Sequence, residues 1–130
     1  MFGKPGAAYE SSQKATSSGR ELEAAALFKA ARQLEAVKQY WDTPDRDVRL
    51  LEALRYNQRL WTIFQVDLER PDHGLPVELR QNLLRLAAFI ARRSFELLSD
   101  PDREKLQALI DIDRNIASGL ASAPAETPAP

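Results

Sequence analysis

The stretch Leu50–Leu68, LLEALRYNQRLWTIFQVDL, decides the fold. Leu50, Leu54, Trp61, Phe64 and Leu68 recur at intervals of four, seven, three and four residues. That spacing puts them on one stripe of an α-helix, whereas a strand would need alternation. No Gly or Pro interrupts the stretch. One polar residue, Asn57, stands in the middle of the apolar stripe.

Working outward, proline divides the rest of the chain. Thr43-Pro44 and Asp100-Pro101 each place a capping oxygen ahead of a proline, the order expected for an N-cap and first helical residue. Leu75-Pro76 is a weaker third start, and Arg70-Pro71-Asp72-His73-Gly74 reads as a turn. The pattern predicts helices near 18–40, 44–69, 76–99 and 102–118, with Gly119 as a C-terminal stop. Leu and Ala supply 37 residues against 13 for Val, Ile and Thr, a ratio that favours helix over sheet. Short connections make successive helices antiparallel neighbours. The expected fold is therefore all-α, a small four-helix bundle-like domain over residues 17–120. A flexible arm at 1–16 and a disordered Ala/Pro tail at 121–130 flank it, because neither end carries enough apolar surface to offset its ordering entropy.

Composition removes several chemistries. The chain has 130 residues, no Cys and one His, so disulfides, thiolate nucleophiles and multi-histidine metal sites are out. Its 18 basic residues nearly balance 19 acidic ones, which argues against nucleic-acid binding through surplus positive charge. The acidic pairs Asp45/Asp47 and Asp111/Asp113 suit helix starts and solvated faces. His73 lies in the turn and reads as an exposed residue without a special role. No catalytic, cofactor-binding or metal-ligating constellation emerges, so an enzyme is not expected. The longest near-apolar run, Leu83–Ala91, is interrupted by Arg85 and is far short of the ~20 residues of a spanning helix. With no apolar signal region at the start, a soluble cytoplasmic chain is expected.

Helical phasing predicts the faces. The first helix aligns Leu22, Ala26, Ala30, Leu34, Val37 and Trp41, with Leu27 at the edge and Phe28 nearly opposite. The third carries Leu79, Leu83, Leu86, Ile90 and Leu97 on one side and a second stripe of Val77, Leu84, Ala88, Ala91 and Phe95 beside it. The fourth aligns Leu106, Leu109, Ile110, Ile116, Ala117 and Leu120, with Asp113 among them. Asn57 and Asp113 are thus polar groups at core positions. Each needs a partner, because an unpaired buried polar group costs about 1–3 kcal/mol. A structural polar pair or network, with Ser94 or Arg114 as candidate members, is the simplest reading.

The apolar surface exceeds what four small helices need internally. Either the third helix touches two neighbours, or a groove accepts an amphipathic helix from another protein. The candidate partner-binding set is Tyr56, Leu60, Ile63 and Phe64 from the second helix with Leu84, Ala88 and Phe95 from the third. Such a surplus face is equally what a homodimer uses.

The run from Leu51 to Phe64, LEALRYNQRLWTIF, preceded by Trp41-Asp42-Thr43-Pro44, resembles the FlaF family of flagellar biosynthesis regulators. The resemblance continues through Leu75-Pro76 and Leu79-Arg80, then Leu109-Ile110-Asp111-Ile112 and Arg114-Asn115-Ile116. With the first helix from Arg20-Glu21 onward, it covers roughly residues 9–120. At position 113 the family more often carries Asn. The resemblance implies a non-catalytic protein without cofactor that binds flagellin as a cytoplasmic secretion chaperone and supports flagellin production and export. It also implies an alternative, a regulatory adaptor acting with the translational regulator FlbT. Flagellin's terminal segments pack as helices only in the filament, so a chaperone of this kind would cover their apolar faces beforehand.

Overall fold

The computed structural model describes residues 5–122, with side chains from Gly19 onward. Four helices form it: α1 (Pro5–Gln39), α2 (Arg46–Leu68), α3 (Val77–Ser99) and α4 (Leu106–Ser122). The all-α expectation holds. The helix starts differ from the expected ones, however, and each difference has a local cause. α1 opens at Pro5 and not near residue 18. Proline is tolerated in a first turn, where its missing N–H has no partner to lose, and no further proline occurs before Pro44. Residues 5–16, expected as an arm, therefore form the first part of this helix. Residues 1–4 and the tail from 123 onward lie outside the described residues.

Thr43 does not cap α2. Its hydroxyl donates to the Tyr40 carbonyl at 2.9 Å and accepts from the Arg49 guanidinium, so it closes the α1–α2 connection instead. Arg49 also reaches the Tyr40 carbonyl at 2.7 Å and the Asp45 carboxylate at 3.1 Å. The polar surroundings supplied by the nearby Thr43 hydroxyl and the Arg49 guanidinium hold the Asp45 carboxyl below its usual pKa. In the same way, Asp102 Oδ1 accepts the Glu104 N–H at 3.0 Å, an Asx-type turn that delays α4 to Leu106. Gly119 is no stop: α4 passes through it to Ser122 without a positive φ. His73 is not the roleless residue expected. Its Nε2 lies 3.1 Å from Asp67 and its Nδ1 accepts the Leu75 N–H at 3.2 Å, so it ties the α2–α3 turn together.

α1 packs against both α2 and α4, while α3 packs principally against α2. The α1–α4 pair runs antiparallel: Lys38 hydrogen-bonds Gln107, and Glu35, one turn earlier in α1, meets Arg114, two turns later in α4. Ala24, Ala30 and Ala31 of α1 and Ala117 of α4 are all buried. Their small side chains let two helix backbones approach closely. The buried face of α1 is Ala24, Leu27, Ala30, Ala31, Leu34 and Val37, which keeps Ala30, Leu34 and Val37 of the expected stripe and widens it through Leu27 and Ala31. Leu22 is 69% exposed, Leu27 is fully buried, and Phe28 packs against the core. The phases expected for α2 and α4 hold, with Leu50, Leu54, Trp61, Leu106, Leu109 and Ile110 in one core.

Candidate partner-binding surface

Two arrangements stand out: a buried polar junction and an uncovered apolar face. The junction joins α2 to α4. Asn57 and Asp113 are both wholly buried. Trp61, one turn after Asn57, donates its indole N–H to Asp113 Oδ1 at 2.8 Å. Facing the ionised carboxylate, the Asn57 amide turns its nitrogen toward it, 3.1 Å from Oδ1 and 2.6 Å from Oδ2, since the reverse orientation sets acceptor against acceptor unless Asp113 carries a proton. Burial pushes the Asp113 pKa up to about 7, while the Trp61 hydrogen bond pulls in the opposite direction. Neither of the partners suggested by the sequence joins in: Arg114 pairs with Glu35 at 3.7 Å, and the Ser94 hydroxyl is buried without a partner among the described residues. Trp61 was the member that sequence reading missed, counted there only as an apolar stripe residue. The available signal was its position four residues after Asn57, because a buried indole N–H requires an acceptor.

The seven candidate partner-binding residues do not form one groove. Leu60 and Phe64 are half-buried against the core, Phe64 edge-on to Trp61 with ring centroids 5.6 Å apart. Tyr56 turns toward α1, where the Lys29 ammonium sits 5.0 Å from its ring centroid. It borders an open recess lined by Gln33, Ala36, Val37, Arg49, Glu52 and Ala53, none of them from α3. Only Ile63 of the α2 set stands out into solvent, at 60% exposure, with Val66 close by in sequence and similarly exposed.

The α3 set is different. Ala87, Ile90, Ser94 and Leu97 are buried, and each is followed by an outward apolar residue: Ala88, Ala91, Phe95 and Leu98. One residue is a rotation of ~100° on a helix, so a second apolar stripe runs beside the first. Leu84 and Val77 extend it toward the N-terminus. Phe95 is 74% exposed, Val77 60% and Leu98 49%. Because α2 is the principal neighbour of α3, the reading in which two neighbours absorb the surplus does not hold for this face. Leu98 was absent from the sequence-derived stripe, although it continues the three-four spacing.

Among the described residues, no group of three His, Cys, Asp or Glu is placed to hold a metal ion, and no helix is long and apolar enough to cross a membrane. The fold and surface define a small antiparallel helical protein with one helix face left uncovered. Residues 6–120 match the family model described as flagellar protein FlaF, and the chain belongs to that family. Neither a curated protein nor a solved structure matches the chain.

Proposed function

We propose that this flagellar protein acts as a cytoplasmic secretion chaperone for flagellin, receiving an amphipathic flagellin helix on the outward face of α3. The observation that carries the reading is the uncovered stripe of Ala88, Ala91, Phe95 and Leu98, with Leu84 half-buried at its end, on which a ring as large as Phe95 is left in water. Contiguous apolar exposure of this kind marks interaction surfaces in soluble proteins. Helix-in-groove recognition reads side chains at spacings of three and four, which is the spacing the stripe presents. Covering a flagellin helix before assembly would limit self-association and leave it releasable at export, so moderate affinity suits the task. A regulatory adaptor working with FlbT is the second reading. It is favoured by Ile63 and Val66, an exposed apolar pair on α2 that stands apart from the α3 stripe and offers a second partner its own contact.

The test is size-exclusion chromatography of the purified chain with flagellin and, separately, with FlbT. A stoichiometric flagellin complex that Phe95→Asp dissolves supports the chaperone reading. A complex that survives Phe95→Asp at wild-type strength refutes the α3 assignment. Binding to FlbT alone shifts the function to the adaptor.

A further inference from the structure

We infer that the outward face of α3 selects an amphipathic helix whose apolar stripe is bordered by carboxylates. This rests on the helix-docking reading above and adds the chemistry of the occupant. The cations of α3 are four arginines. Arg80 is used internally, its guanidinium on the Arg70 carbonyl at 3.1 Å. Arg93 is occupied as well: it donates to the Lys105 carbonyl, pairs with Glu96 at 3.4 Å and covers the Phe89 ring. Arg85 and Arg92 remain. Arg85 reaches only the neutral Asn82 amide, and neither arginine forms an ion pair among the described residues. Both are exposed.

Their positions matter more than their number. Arg85 precedes Ala88 by three residues and Arg92 follows it by four, so both neighbour Ala88 on the helix surface and line one edge of the apolar stripe. On the stripe itself, the small side chains of Ala88 and Ala91 lie between Leu84 and Phe95, low ground toward which an opposing helix can turn its larger ones. The whole chain carries a formal charge of −1, so this basic edge is a local feature and not a reflection of overall composition.

The same geometry disfavours a second copy of the chain as occupant. If two α3 helices paired antiparallel with their crossing at Ala88, Arg85 of each would approach Arg92 of the other, while Glu96, the carboxylate next along this edge, is already engaged by Arg93. Like charges opposed across an interface weaken it. An acidic border on the incoming helix meets both arginines favourably.

The test uses the full chain and two synthetic helical peptides that share one Leu/Ala face, one bordered by Glu and the other by Lys. Fluorescence anisotropy at low salt is expected to show the Glu peptide binding roughly fivefold or more tightly, the scale of two surface ion pairs. That preference should shrink as salt rises. Arg85→Glu/Arg92→Glu should reverse the order, and Phe95→Asp should abolish binding of both peptides. Equal affinities, binding that survives Phe95→Asp, or no binding of the Glu peptide overturns the inference, as does a concentration-dependent dimer through this face in sedimentation. Flagellin separates the two levels of argument. If flagellin binding is lost with Phe95→Asp but indifferent to Arg85→Glu/Arg92→Glu, docking stands and charge selection falls. If the Glu peptide binds as described and flagellin does not, charge selection stands and the chaperone reading falls.

Discussion

The indole nitrogen of Trp61 and the carboxylate of Asp113, 52 positions apart in the chain, are joined by a 2.8 Å hydrogen bond in a place water does not reach. With Asn57 donating to the same carboxylate, this contact pins α2 to α4 at one register. A buried ionisable group with two neutral donors and no countercharge is a stability element that depends on proton concentration.

Its sign follows from the folded-state pKa of about 7 against an ordinary carboxyl value of 3.8. Between those values the folded chain holds a proton that the unfolded chain has released, so stability falls as pH rises through that window. At about 1.4 kcal/mol per pKa unit, the span reaches roughly 4 kcal/mol, less whatever Asn57 recovers by donating to the charged form. Urea unfolding followed by circular dichroism should give a lower midpoint at about pH 8 than at about pH 5. Asp113→Asn should flatten most of that dependence and be the more stable protein at the higher pH. A wild-type midpoint that rises across this window would refute the account.

Trp61→Phe removes the indole donor and leaves the rest of the ring packing largely in place. The expected loss is about 1–3 kcal/mol, the cost of an unmet buried hydrogen bond. The loss should be greater at about pH 8 than at about pH 5, because only the ionised carboxylate needs two donors. Chemical denaturation at the two pH values measures the difference.

The alanine seam between α1 and α4 should resist enlargement. Ala31 is 1% exposed, and a Leu there must push the two backbones apart or leave its preferred rotamer. Ala31→Leu is expected to cost about 1–3 kcal/mol while helicity by circular dichroism is retained.

Ser94 makes the opposite case. Its hydroxyl is buried on α3 with no partner among the described residues, so removing it sacrifices no bond seen there. Ser94→Ala should leave thermal stability unchanged or raise it, because the unsatisfied group is exchanged for an apolar one. A clear drop in Tm would mean the hydroxyl has a partner after all.

The two exposed apolar sites should separate in a binding experiment. Ile63→Asp and Phe95→Asp both alter solvent-facing positions, so each is expected to change stability by no more than about 0.5 kcal/mol. Co-purification with flagellin should fall sharply for Phe95→Asp and little for Ile63→Asp. The reverse result would move the docking site to α2.

What could be read from the sequence depended on contrast. Leu50–Leu68 and Leu106–Leu120 alternate large apolar and charged residues, so their core faces were legible from spacing alone. α1 has no such contrast. Its runs of Ala satisfy several phases equally, and it is packing against α4 that brings Leu27 and Ala31 into the core. Asn57 and Asp113 were recognisable as misplaced polar residues, yet their common partner Trp61 was not, since periodicity carries no information about which helix lies opposite. The helix starts slipped for a different reason. Thr43 and Asp102 are good capping residues whose side chains are engaged elsewhere, in the loop and in an Asx turn. In the candidate surface, exposure of the α3 stripe was legible as surplus. The division of Leu60 and Phe64 from it was not, because both sit on the flank of α2 that the core itself consumes.

The lopsided seat of α3, supported chiefly by α2, also bears on how the molecule breathes. Lifting α3 away breaks one main seam, whereas extracting α1 breaks two. Native-state hydrogen exchange should therefore show α3 amides trading protons with solvent through openings that leave α1, α2 and α4 assembled, and the helix that meets a visitor is the first to come loose.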